Sequence, residues 1–237
     1  MLASSDQKPV VPGATSGTVD AFLDKVNRLP SAHADAERGR LIFALDATMS
    51  RQPTWDLAQS LQGRMFQTAS SLGGLDVQLL YFRGFAECRA SRFIANGVGL
   101  AELMAKISVA GGNTQIAKVL RHVREETNRQ RVAALIYVGD AMEENADELC
   151  QLAGELSLLG VKAFMFHEGD EPTSAATFRE IARLTGGAYA HFDASAPHRL
   201  GEMLAAAAAY AAGGRKALEQ IASQGSQSAQ ALLRQMK

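Results

Sequence analysis

Cysteine is scarce in this chain of 237 residues: Cys88 and Cys150 stand far apart, outside any CxxC pattern. That spacing excludes a zinc knuckle and a disulfide framework, and it suits reduced thiols in a cytosol. Aromatic residues make up only 6%, and no long basic stretch lies behind the formal net charge of -1. The stacking platform and the electrostatic footprint of a nucleic-acid binder are therefore both missing. Long apolar runs are missing too: the alanine run at 204 to 212 falls short of the roughly 18 to 20 apolar residues that cross a bilayer. The N-terminus has neither the charged start nor the apolar core of a signal peptide. No GxxxxGK[ST], GxSxG or GxGxxG motif occurs, which removes the common phosphate-binding, serine-hydrolase and dinucleotide fingerprints. The expectation is a cytoplasmic protein whose main partner is neither nucleic acid nor membrane.

What is present is enough apolar sequence, 47% of residues, to bury a full core in one domain with terminal extensions. Residues 1–17, rich in Ser, Pro, Gly and Ala, read as a loose arm. Residues 18–37 hold an N-terminal helix and linker, with Val19, Phe22, Leu23 and Val26 on one face and Pro30 as its stop. The main domain is expected over 38–212. Residues 213–237 follow a Gly213-Gly214 break as a polar helix or tail with a thin stripe of Leu218, Ile221, Leu232 and Met236.

Three apolar runs, LIFALD (41 to 46), VAALIYVGD (132 to 140) and VKAFMFHE (161 to 168), are apolar on both faces, as buried parallel strands are. Amphipathic stretches at 53 to 71, 99 to 107, 114 to 129, 144 to 159 and 173 to 185 alternate with strands, which predicts parallel order with helices on both faces. Residues 75 to 84 and 86 to 93 are too close for a crossover and predict a hairpin with a half-exposed edge strand. A short strand at 187 to 192 precedes a last helix starting at Pro197.

In an open parallel sheet, ligands bind beyond the carboxyl ends of the strands. There DATMS supplies Asp46, Thr48 and Ser50 at alternate positions, GGNT places Thr114 after Gly111 and Gly112, and VGD ends on Asp140. Two carboxylates and three hydroxyls form an all-oxygen set, the kind that hard cations choose: Mg²⁺, or Mn²⁺ or Ca²⁺ in its place. With so few charged ligands, modest affinity and an open coordination position are expected.

In order, spacing and context, DATMS, GGNT and VGD resemble the metal-ion-dependent adhesion site of the von Willebrand factor A domain family, over about residues 38 to 212. The resemblance implies a doubly wound α/β fold: a mostly parallel six-stranded sheet with one antiparallel edge strand and helices on both faces. It implies that Thr48, Ser50 and Thr114 ligate the metal, with Asp46 and Asp140 doing so directly or through water. The remaining position would accept an Asp or Glu from a protein partner. The lack of signal, membrane and disulfide features points to the bacterial intracellular branch. Thr48 stands where the family more often has Ser, and Met49 where it often has Gly.

Other residues at the same edge read more plainly. Glu143 and Glu144 are expected to cap the helix they begin, and Asp193 with Ser195 the helix after them. Trp55 is expected to pack in the first helix turn, with Arg51 facing the rim. His167, Glu168, Asp170 and Glu171 read mainly as solvated loop, with contact to a partner as the alternative. His33, His122, His191 and His198 have no ligand spacing.

The leading functional expectation is a metal-dependent protein-interaction module without catalysis, since no base, lysine or activated nucleophile accompanies the set. A Mg²⁺- or Mn²⁺-dependent hydrolase or phosphotransferase is the runner-up, because Asp46 sits where phosphoryl-transferring α/β enzymes place a nucleophile. A metal-free scaffold assembled through its alanine-rich C-terminal helices is the third possibility.

Overall fold

A computed structural model describes residues 38–236 except 50, 51, 71, 73 and 194–196. The expected N-terminal arm and helix therefore lie outside the described residues, as do His33, Ser50, Arg51 and Ser195. The described elements run β1 (Gly39–Asp46), α1 (Gln52–Ser70), β2 (Leu75–Arg83), β3 (Glu87–Ile94), α2 (Gly97–Met104), α3 (Ile116–Arg129) and β4 (Ala134–Gly139). They continue with α4 (Ala146–Leu158), β5 (Lys162–Glu168), α5 (Pro172–Thr185), β6 (Ala188–Phe192), α6 (Pro197–Ser223) and α7 (Gln227–Leu233).

The six strands form one sheet in the order β3-β2-β1-β4-β5-β6. Every pairing is parallel except β2 with β3, which makes β3 the antiparallel edge strand. Strand alternation sends Leu41, Phe43 and Leu45 of β1 into one core layer with α1, α2, α6 and α7. Ile42 and Ala44 go into the opposite layer with α3, α4 and α5. A strand covered on both faces has no solvent side on which to place polar residues, so its sequence becomes a continuous apolar run.

Helix α6 covers the centre of one face because its small residues let it come close. Ala206, Ala207, Ala208, Ala209 and Ala211 are all buried within the domain, and a Cβ added to Gly39 would lie 1.9 Å from the Ala211 carbonyl oxygen. The break expected at Gly213-Gly214 is a kink: Gly214 has φ 67°, and helix continues to Ser223. Beyond it Leu218, Ala222, Ala229, Leu232 and Met236 join the core. The Gln235 amide closes the β6 edge, accepting from Tyr189 N at 3.0 Å and donating to Tyr189 O at 2.9 Å. The backbone groups of Tyr189 are thereby taken from that edge, which shortens what it could offer another strand.

The hairpin carries an irregularity between Gln78 and Leu80. Ser91 Oγ accepts from Leu79 N at 3.0 Å, Gln78 Nε2 donates to Ser91 O at 2.8 Å, and His122 Nε2 lies 2.9 Å from Gln78 Oε1.

Two outcomes are expected. Gly39→Ala should lower unfolding free energy in urea by about 1–3 kcal/mol, the usual cost of overpacking, because the added methyl strikes backbone rather than a mobile side chain. Burial also pushes the His122 imidazole below its ordinary value of 6.5, against the pull of Glu126 and Glu125. The unfolded chain then takes the proton first, so stability is full above pH 6.5 and falls as pH drops through it. Urea unfolding at pH values either side of that point, in wild type and His122→Gln, should show a smaller fall in the variant.

Candidate metal centre

β1 and β4 are neighbours in the sheet, yet the chain leaves them toward opposite sides, β1 to β2 and β4 to β5. Their carboxyl ends therefore flank the switch point, where departing loops open a crevice. Asp46 ends β1 and Asp140 follows β4, so the two carboxylates reach that crevice from adjacent strands. Asp46, Thr48, Thr114 and Asp140 line one cavity of about 220 Å³, together with Met49, Gly111, Gly112, Ala141 and Glu143. Four of the five residues singled out in the sequence are thus together, and Ser50 lies outside the described residues. Asp46 is 2% exposed, and its Oδ1 accepts from Thr48 N at 2.8 Å, fixing the start of the DATMS turn.

The loops are stitched to one another. Ala47 N donates to Phe82 O at 2.9 Å and Ala47 O accepts from Ala110 N at 3.0 Å, tying the first loop to β2 and to the chain before GGNT. Asn113 N donates to Gly84 O at 3.2 Å, and Gln115 Nε2 reaches the carbonyls of Arg83, Gly84 and Glu87 at 3.2–3.3 Å. Gly112 is required by close approach rather than by a left-handed turn: a Cβ there would lie 2.1 Å from Gly84 O, and its φ is not positive. Thr114 and the third loop bond reciprocally, Thr114 N to Glu143 Oε2 at 3.2 Å and Glu143 N to Thr114 Oγ1 at 3.1 Å.

One expectation is corrected. Helix α3 begins at Ile116, and Gln115 at its N-cap position makes no side-chain cap bond. Glu144 fills the vacancy from another loop: its oxygens accept from Ile116 N at 2.5 Å and Ala117 N at 2.9 Å. Glu143 and Glu144 therefore do not cap the helix that follows them, because Asn145 already accepts from Asp147 N and Glu148 N of α4. A carboxylate satisfies the positive end of α3 from outside it.

No protein-family model and no curated protein matches this sequence, but solved structures match its fold. A von Willebrand factor type A protein from Catenulispora acidiphila aligns over 73% of this chain and 43% of its own, with TM-score 0.57 and 15% identity. The SpRpn10 VWA domain aligns over 69% of this chain and 95% of its own, with TM-score 0.54 and 10% identity. The pilus adhesin SpaC from Lactobacillus rhamnosus GG aligns over 73% of this chain and 31% of its own, with TM-score 0.57 and 8% identity. This chain has the von Willebrand factor A (VWA) fold. Identities this low speak to architecture, and the chemistry rests on the residues at the VWA sheet edge.

The donor chemistry of that edge fits a hard cation. Among the described residues the cavity lining offers carboxylates and hydroxyls and no imidazole, amine or thiol, the ligand class of Mg²⁺ and its relatives. Among the described residues, no three His, Cys, Asp or Glu side chains converge on one point, so a cation here depends on Thr hydroxyls beside Asp46 and Asp140. A larger depression of about 350 Å³ between α1 and the C-terminal helices has a single carboxylate, Glu202, whose Oε2 accepts from Ser228 Oγ at 3.0 Å.

The remaining expected residues separate on inspection. Trp55 is buried against Tyr81, with Nε1 3.4 Å from Met104 O. Glu171 caps α5 through Thr173 N and Ser174 N, and Ser174, by its side chain first and then its N–H, holds the carboxyl down at about 2 with help from Thr173 N. Asp170 is exposed beside His191 at 3.3 Å. His167 is no loop residue at all: it is completely buried. Burial lowers its basicity, against a hydrogen bond to the Asp140 backbone. Met49 is 66% exposed on the cavity rim, so the family's small residue is replaced here by an apolar projection into solvent.

Glu144→Gln should lower unfolding free energy by about 1–2 kcal/mol, the usual worth of a helix cap reinforced by charge. Hydrogen exchange of the Ile116 and Ala117 amides should accelerate with it, while exchange in the β4 core stays slow.

Proposed function

We propose that this chain is a protein-interaction module whose Asp46, Thr48, Thr114 and Asp140, together with Ser50, hold a divalent cation, Mg²⁺ or in its place Mn²⁺ or Ca²⁺. A partner protein then supplies an Asp or Glu carboxylate to the open position. The observation that carries this reading is the meeting of four oxygen-bearing residues from three loops in one cavity at the sheet's switch point. When bound, the cation supplies positive charge that a carboxylate can complete. The protein's part is positional: Asp46 anchors the first turn, the Thr114 and Glu143 pair holds the second loop against the third, and Asp140 closes the set from β4.

The match to a protein described as a pilus adhesin is consistent with a binding role, though it is a match of fold. No described helix is long and apolar enough to cross a membrane, and Cys88 and Cys150 are free thiols. A cytoplasmic partner is part of the proposal.

Thermal unfolding with increasing Mg²⁺ tests the metal. A ligand at about a hundred times its Kd stabilises the folded state by about 2.7 kcal/mol, so Tm should rise with Mg²⁺ and stay flat in Asp46→Ala. Partner capture in Mg²⁺ should be lost in EDTA and in Asp46→Ala, and capture unchanged by either would refute the bridged mechanism.

A further inference from the structure

The backbone ladder between β4 and β5 ends at the pair Gly139 and His167. The next residue along, Asp140, has left the strand, yet its carbonyl is still gripped: His167 Nε2 lies 3.0 Å from Asp140 O. A carbonyl oxygen only accepts, so Nε2 carries the proton and Nδ1 is the acceptor. Its donor is the Tyr189 hydroxyl from β6, 3.0 Å away. Three adjacent strands are thus tied by side chains in addition to their ladders, through one line of hydrogen bonds in the order Asp140, His167, Tyr189.

Each member is held in turn. The imidazole meets the Phe178 ring edge-on, with centroids 5.3 Å apart. The Tyr189 ring lies under the Arg179 guanidinium at 4.5 Å, and its backbone is paired with the Gln235 amide. A buried imidazole with both nitrogens satisfied has one tautomer and one orientation, so the carbonyl it bonds is fixed as firmly as the ring.

We propose that His167 is a positioning residue for the cation site, setting the direction in which Asp140 leaves β4 by donating Nε2–H to its carbonyl, with Tyr189 fixing the tautomer. This inference rests on the metal reading above. Outer partners that orient a ligand are worth about 10–100-fold in metal affinity. A histidine that merely fills the core would change stability and leave cation affinity alone.

Mn²⁺ serves as the probe, titrated into the full chain and followed by its paramagnetic resonance signal, with circular dichroism as the check on folding. His167→Phe should weaken Mn²⁺ binding by about tenfold while the protein stays folded. His167→Gln, which can present an N–H at the same place, should recover most of that loss. Tyr189→Phe, lacking only the hydroxyl, should weaken binding by a few fold and decides the matter should His167→Phe not fold. Unchanged affinity in His167→Phe, or in Tyr189→Phe where that variant decides, overturns the role of His167, as does a glutamine that restores nothing. Wild type that binds no Mn²⁺ overturns the metal reading and this inference with it, whereas wild-type binding with unaltered variants removes only the latter.

Discussion

β1 is paired on both edges, by β2 and by β4, and covered on both faces by helices. A strand so enclosed can satisfy its backbone polar groups only through its two neighbours. Wherever it ends, the chain must emerge among the loops of those same neighbours. That constraint brings the DATMS turn against Phe82 O of β2 and beside Asp140 after β4. The apolar centre and the polar edge are two consequences of one enclosure: polar side chains that the apolar layers cannot pair collect at the end of the strand, where the loops supply partners.

The collected residues are held in one cavity because the loops are not independent. Ala47, Asn113, Gln115, Glu143 and Glu144 contribute backbone, side-chain amide or carboxylate bonds that cross from one loop to another. Donors fixed by such bonds before a ligand arrives lose little freedom on binding, which favours affinity even with only two aspartates in the set. The cavity rim adds the exposed Met49 side chain, so the proposed partner would meet an apolar projection as well as the donors.

Much of the architecture was legible in the chain. Runs apolar on both faces gave β1, β4 and β5, and the short connection at Gly84 gave the hairpin with its half-exposed strand. Four candidate donors could be picked out because each follows an apolar run or a glycine pair. Glu144, Gln115 and His167 were misread or passed over for one shared reason: the partners that place them are 22 to 32 residues away. Capping logic looks a few residues ahead along one helix, so it assigned Glu144 to α4. The helix it serves is α3, brought beside it by the pairing of β1 with β4. VKAFMFHE reads as a strand to Glu168 and β5 extends that far, but grouping His167 with the solvated loop residues fails, because the strand turns it inward.

The scattered oxygen set was therefore determined by sequence alone as a set: its residue types, their order and their places after strands are local properties. Whether those side chains share one cavity was decided by tertiary structure, because convergence depends on which strands are neighbours and on bonds between loops far apart in the chain. The same holds for the support beneath them. A histidine in an apolar run carries no local sign of what it holds, and only the stacking of β4, β5 and β6 places it between Asp140 and Tyr189.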